Sequence, residues 1–71
     1  MNGYRTQIAS DVIRDGLAVE LIDSGGRQVM EVFRYDAGGG SLSFNTFGEV
    51  SVPFSVIADF IAQAMAEFGA S

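Results

Sequence analysis

Between residues 17 and 47 apolar and polar side chains alternate with the two-residue period of a half-buried strand, and glycines interrupt the alternation at intervals. Residues 17–23, 28–36 and 41–47 read as strands, rich in β-branched and aromatic side chains, and residues 8–14 read as a weaker first strand. Asp15-Gly16 marks a two-residue hairpin turn, because a type I′ turn needs positive φ at both central positions. Gly25-Gly26 marks another. Ala37-Gly38-Gly39 reads as a three-residue loop with a bulge.

From Pro53 the period changes. Ile57, Phe60, Ile61, Ala64, Met65 and Phe68 fall on one helical stripe, with Ser55, Asp59, Gln63 and Glu67 opposite. A helix over 53–68 follows, with Ser51 as its cap, Pro53 in its first turn and Gly69 at its left-handed end. The predicted fold is α+β: a single domain, 1–71, with an antiparallel three- to four-stranded meander and one C-terminal helix on one face.

The turns set a register. Two-residue turns pair Leu21 with Met30, Glu20 with Glu31, Val19 with Val32, Val12 with Val19 and Asp11 with Glu20. The last loop pairs Val32 with Phe44 and Glu31 with Asn45. Val12, Val19, Leu21, Met30, Val32, Leu42 and Phe44 then form the core under the helix. The other face carries Ala9, Ile13, Ile22, Val29, Phe33, Tyr35 and Phe47 around a row of three acids, Asp11, Glu20 and Glu31. Like charges directly opposite one another destabilise a sheet. Such a row therefore points to a positively charged partner, and the uncovered aromatics point to an interaction surface.

Charge agrees with that reading. Nine acids face four arginines, with no lysine, histidine or cysteine, for a net charge of −5. Direct nucleic-acid binding and adhesion to an anionic membrane both draw on Lys and Arg, and are not expected. Without His, Cys or Lys the usual bases and nucleophiles are missing, so no enzyme is expected. Glu20 and Glu31 as an acid–base pair, or a divalent cation on the three acids, are the readings set aside. No metal or cofactor is expected. The lack of an apolar leader or of a spanning segment suggests a cytoplasmic protein.

The stretches GLAVELID, SGG, RQVMEVFRYDAGGG, SLSFNTFG and EVSVPFSVIADFIAQAMAEFG (16–69) look like small β-sheet-plus-helix proteins of bacterial and phage genomes. In size, charge and layout the chain resembles the small acidic phage anti-CRISPR proteins directed at type I systems. That resemblance implies a viral protein in the bacterial host cytoplasm, an inhibitor that holds a CRISPR effector complex off DNA by occupying its basic DNA-binding surface. No motif carries individual residues across, so the site residues come from the strand register.

The expectation is a non-enzymatic protein-binding inhibitor, monomeric, whose partner is a basic nucleic-acid-binding protein such as a type I CRISPR effector subunit. Asp11, Glu20 and Glu31 would pair with the partner's Arg or Lys, in the manner of a DNA mimic. Asp15, Asp23 and Asp36 would extend the acidic field, and Phe33 and Tyr35 would anchor the interface. Reversing Glu20 and Glu31 to Lys would then leave the melting temperature unchanged or higher. The alternative is a homodimeric module, or a toxin-neutralising immunity protein, that buries the open face.

Overall fold

A computed structural model describes residues 2–37 and 39–69. Strands β1 (Arg5–Asp11), β2 (Gly16–Ile22), β3 (Gln28–Tyr35) and β4 (Leu42–Thr46) form one antiparallel sheet in the order β1-β2-β3-β4, and helix α1 (Phe54–Phe68) lies on one face. This is the α+β meander that the pattern predicts.

The β2–β3 pairs are those expected: Leu21 with Met30, Glu20 with Glu31, Val19 with Val32. They arise differently, however. Gly26 donates its N–H to Asp23 O at 3.0 Å and Asp23 N–H donates to Arg27 O at 2.9 Å. The loop therefore holds three residues, with Gly26 left-handed at φ 85. A bulge then restores the register, since Ile22 pairs with Gln28 and Leu21 with Met30, leaving Val29 as the extra residue. The bulge also moves Val29 from the open face, where alternation places it, into the core beside Met30. The β3–β4 pairs, Val32 with Phe44 and Glu31 with Asn45, are as expected. Gly38 of the connecting loop lies outside the described residues.

The first hairpin differs. Asp11 pairs with Gly16 and Ile8 with Val19, so β1 sits nearer the chain start than 8–14, and Val12–Asp15 form a four-residue loop. Val12 does not face Val19 and Asp11 does not face Glu20. Asp15 alone of the Asp-Gly pair has positive φ, 57, so the two-residue turn is not made. Gly16 is instead a strand residue that needs to lack a side chain. A Cβ there would stand 2.1 Å from Arg34 O and 2.7 Å from the Phe33 ring.

The core lies between α1 and the middle strands: Val56, Phe60 and Ala64 against Val19, Leu21, Val29, Met30 and Val32, with Tyr4, Val50, Val52, Ile57, Ile61 and Phe68 at its rim. Each large side chain so buried contributes about 1.5–3 kcal/mol. A helix is about 10 Å wide and strands stand about 4.8 Å apart, so one helix covers two strands. Ile8 on β1 and Leu42 and Phe44 on β4 point to the helix side yet remain exposed for that reason. Val12, expected in the core, stands in solvent at the loop tip.

The helix starts one residue later than predicted. Pro53, with φ −53 and ψ 137, holds the capping position, and no side chain caps the helix. Pro53 O accepts the Val56 and Ile57 N–H groups at 3.0 and 3.2 Å. Ser51 lies two residues too early to act. Gly69 ends the helix in the left-handed conformation, φ 65, as expected.

Candidate functional site

The face away from the helix is organised by Arg14, a residue the strand pattern conceals. Asp11 Oδ1 accepts the Arg14 backbone N–H at 3.0 Å, the local bond by which an Asp starts a turn. That bond bends the chain back, and the guanidinium lies across the sheet. Its Nε donates to Asp11 Oδ2 at 2.6 Å. Its Nη1 and Nη2 donate to Glu31 Oε2 and Oε1 at 2.6 and 3.0 Å. Asn45 Nδ2 adds a bond to Glu31 Oε2 at 2.9 Å. Glu31 has 0 % exposure, and no buried side-chain polar atom among the described residues lacks a partner.

The electrostatics follow. Hydrogen bonds from Arg14 hold the Glu31 carboxyl below the usual range, against the opposing effect of burial, and Asn45 assists. Asp11 is lowered chiefly by the Arg14 backbone N–H and then by its side chain. The Arg14 guanidinium is raised by both acids, Glu31 first. Arg14 also stands 4.0 Å over the centre of the Phe33 ring, a cation–π contact. Tyr35 meets the edge of Phe33 at 4.7 Å and 65°.

The expected acidic row is therefore reassigned. Asp11, Glu20 and Glu31 do share one face, but Asp11 and Glu31 take an internal cation, and Glu20 is opposite Gln7 rather than Asp11. Gln7 Nε2 and Gln28 Nε2 donate to the two oxygens of Glu20 at 2.6 and 2.9 Å. Glu20 and Glu31, paired across the strands, tolerate each other because each has its own donors. Among the described residues no cluster of acids is arranged to hold a metal ion. Phe33 is fully buried and cannot anchor a partner, whereas Tyr35 keeps an exposed surface.

The three turn acids divide. Asp23 Oδ1 accepts the Gly25 and Arg27 N–H groups at 3.0 and 2.9 Å, so it builds its own loop. Asp15 and Asp36 lie together at the other end of the sheet, where Asp36 N–H donates to Asp15 O at 2.9 Å. Neither is in an ion pair among the described residues. Beside them Val12 and Ile13 are 91 % and 97 % exposed. Tyr35, paired with Gly16, completes this end.

The structure thus brings together Asp15, Tyr35 and Asp36, and adds an apolar tip, Val12 and Ile13, on a loop fixed by Arg14. The spacing Asp11-x-x-Arg14 was the available signal: an Asp accepting an N–H three residues on implies a turn there, not a strand.

Comparison with protein-family models, with curated proteins and with solved structures finds no match. No helix among the described residues is long and apolar enough to cross a membrane.

Proposed function

We propose that this protein is a non-enzymatic inhibitor that binds a basic, nucleic-acid-binding surface of another protein through the end of the sheet bearing Val12, Ile13, Asp15, Tyr35 and Asp36. The observation that carries the reading is the pair of β-branched side chains held almost wholly in solvent on an anchored loop. Fully exposed neighbouring Val and Ile add nothing to the fold, but a preorganised apolar tip binds at low entropic cost. The flanking Asp15 and Asp36 suit a pocket rimmed by Lys or Arg, and the net charge of −5 favours encounter with such a surface.

The first target to test is a type I CRISPR effector complex, the class suggested by the overall resemblance. Purified effector is immobilised and binding of the chain is measured across a salt series, with and without competing DNA. Binding weakened by salt and displaced by DNA supports the reading. Val12→Ser with Ile13→Ser should weaken that binding by about tenfold or more while leaving the melting temperature unchanged. No binding by the native chain excludes this target, and unchanged binding by the double variant overturns the assignment of the loop end.

A further inference from the structure

β1 is an edge strand of seven residues, Arg-Thr-Gln-Ile-Ala-Ser-Asp, that keeps a regular register with β2. Edge strands of stable proteins are usually blunted by shortness, proline, lysine or a bulge. β4, the other edge, is short at five residues. β1 has no proline, lysine or bulge, and its only charges, Arg5 and Asp11, stand at its two ends. Between β1 and α1 runs a groove of about 390 Å³, lined by Thr6, Ile8, Val19, Gln63, Ala66 and Glu67. Ile8, at the middle of the strand, is 54 % exposed at its floor.

The strand is complementary to its own reverse. In an antiparallel pair centred on Ile8, Ile8 meets Ile8, Gln7 meets Ala9, Thr6 meets Ser10, and Arg5 meets Asp11 at both ends. Each of these pairs also falls on a common face, because directly opposed residues share one. Aliphatic contacts, hydroxyl pairs and opposite charges are the combinations that stabilise cross-strand neighbours. Arg5 is in no ion pair among the described residues; its guanidinium donates only to Gln7 Oε1 at 3.0 Å. Asp11, although it holds Arg14, is part-exposed and keeps lone pairs for a second donor. The same operation on β4 sets Leu42 against Thr46 and brings no opposite charges together.

We propose that the occupant of the β1 edge is a second copy of this chain, giving a two-fold dimer with one continuous eight-stranded sheet. Both helices lie on the same face of that sheet, and the two Ile8 side chains fill the space between the two grooves. A two-fold interface of this kind uses one patch twice. The edge contact leaves the acids of the open face apart, unlike a dimer made through that face. Tyr35 and Asp36, at the end of β3, stand two strands away from the contact.

The chain has no cysteine, which permits a position-specific test. Opposed residues of an antiparallel pair have Cβ atoms about 4.5–5.5 Å apart, close to the span of a disulfide. Ile8→Cys should give a covalent dimer under mild oxidation, and Phe44→Cys on the opposite edge should not. Sedimentation of the native chain at micromolar concentration should show a dimer. Arg5→Asp, which sets like charges together at both ends, should weaken it by about tenfold or more. A monomeric native chain overturns the proposal. So does a dimer that cross-links through position 44 and not position 8, or one that Arg5→Asp leaves undiminished.

Discussion

The Arg14 guanidinium clasps the fully buried carboxylate of Glu31 with two hydrogen bonds, at 2.6 and 3.0 Å, from a loop seventeen residues earlier in the chain. This pair does for the open face what the helix does for the other: it closes the face over Phe33 and fixes the loop that carries Val12 and Ile13. Removing one partner of a buried pair leaves a charge with no compensation, which costs more than the pair itself contributes.

Arg14→Met should therefore destabilise the domain by about 2–4 kcal/mol, somewhat below the range for a wholly buried pair because Arg14 is partly exposed. Arg14→Met combined with Glu31→Leu should recover much of that loss. Urea denaturation of the two variants and the native chain measures the difference. Equal destabilisation by the single and double changes would show that the loop, rather than the charge, is at stake.

The two acids of the central pair should differ sharply in their response to charge reversal. Glu20→Lys loses two glutamine amide bonds at a part-exposed site and should shift stability by about 1 kcal/mol or less. Glu31→Lys sets a buried ammonium against Arg14 and should cost about 4 kcal/mol or more. A chain of this size has about 4–10 kcal/mol in all, so circular dichroism should find the second variant largely unfolded at ambient temperature. With Arg14 bonded to the buried Glu31, reversing both acids is expected to unfold the chain rather than spare it.

Acid should weaken the fold through the same two carboxyls. Glu31 and Asp11 have folded pKa values below their ordinary ones, so the unfolded chain binds protons more readily. Their stabilisation is complete above the unfolded carboxylate values, about 4, and is lost as pH falls through the folded ones. Melting temperatures should be level near neutrality and drop below about pH 4. Glu31→Gln should lower the neutral melting temperature and flatten the acid slope; an unchanged slope would assign the acid sensitivity to other groups.

Gly16→Ala should be among the most damaging small changes. Its Cβ would meet a backbone oxygen at 2.1 Å and the Phe33 ring at 2.7 Å, and neither can withdraw without opening β3. A loss of about 3 kcal/mol is expected. Gly25→Ala, whose Cβ would have only Asp23 Oδ1 near it, at 3.4 Å, should stay within about 0.5 kcal/mol. Thermal melts of the two variants compare the glycines directly.

The sequence by itself determined the last three strands and the helix, the meander order and the pairing of β2 with β3 and β3 with β4, but set the first strand three residues too late. Hydrophobic period and glycine placement are local properties, and the alternation around Glu31 admits one burial of the apolar set. The β2–β3 register survived a misjudged turn because the Val29 bulge offsets the extra loop residue, a cancellation that no local signal reveals. Asp15-Gly16 misled for a related reason: a glycine demanded by the Phe33 ring and the Arg34 carbonyl looks, in the sequence, like one demanded by a turn. Only the tertiary structure decided which acids are free. A carboxylate's partner is set by where a long side chain from another loop can reach, and Arg14 reaches both Asp11 and Glu31. It likewise decided which apolar residues stay exposed, because the width of a single helix, and not the hydrophobicity of Ile8 or Phe44, limits what this sheet can bury.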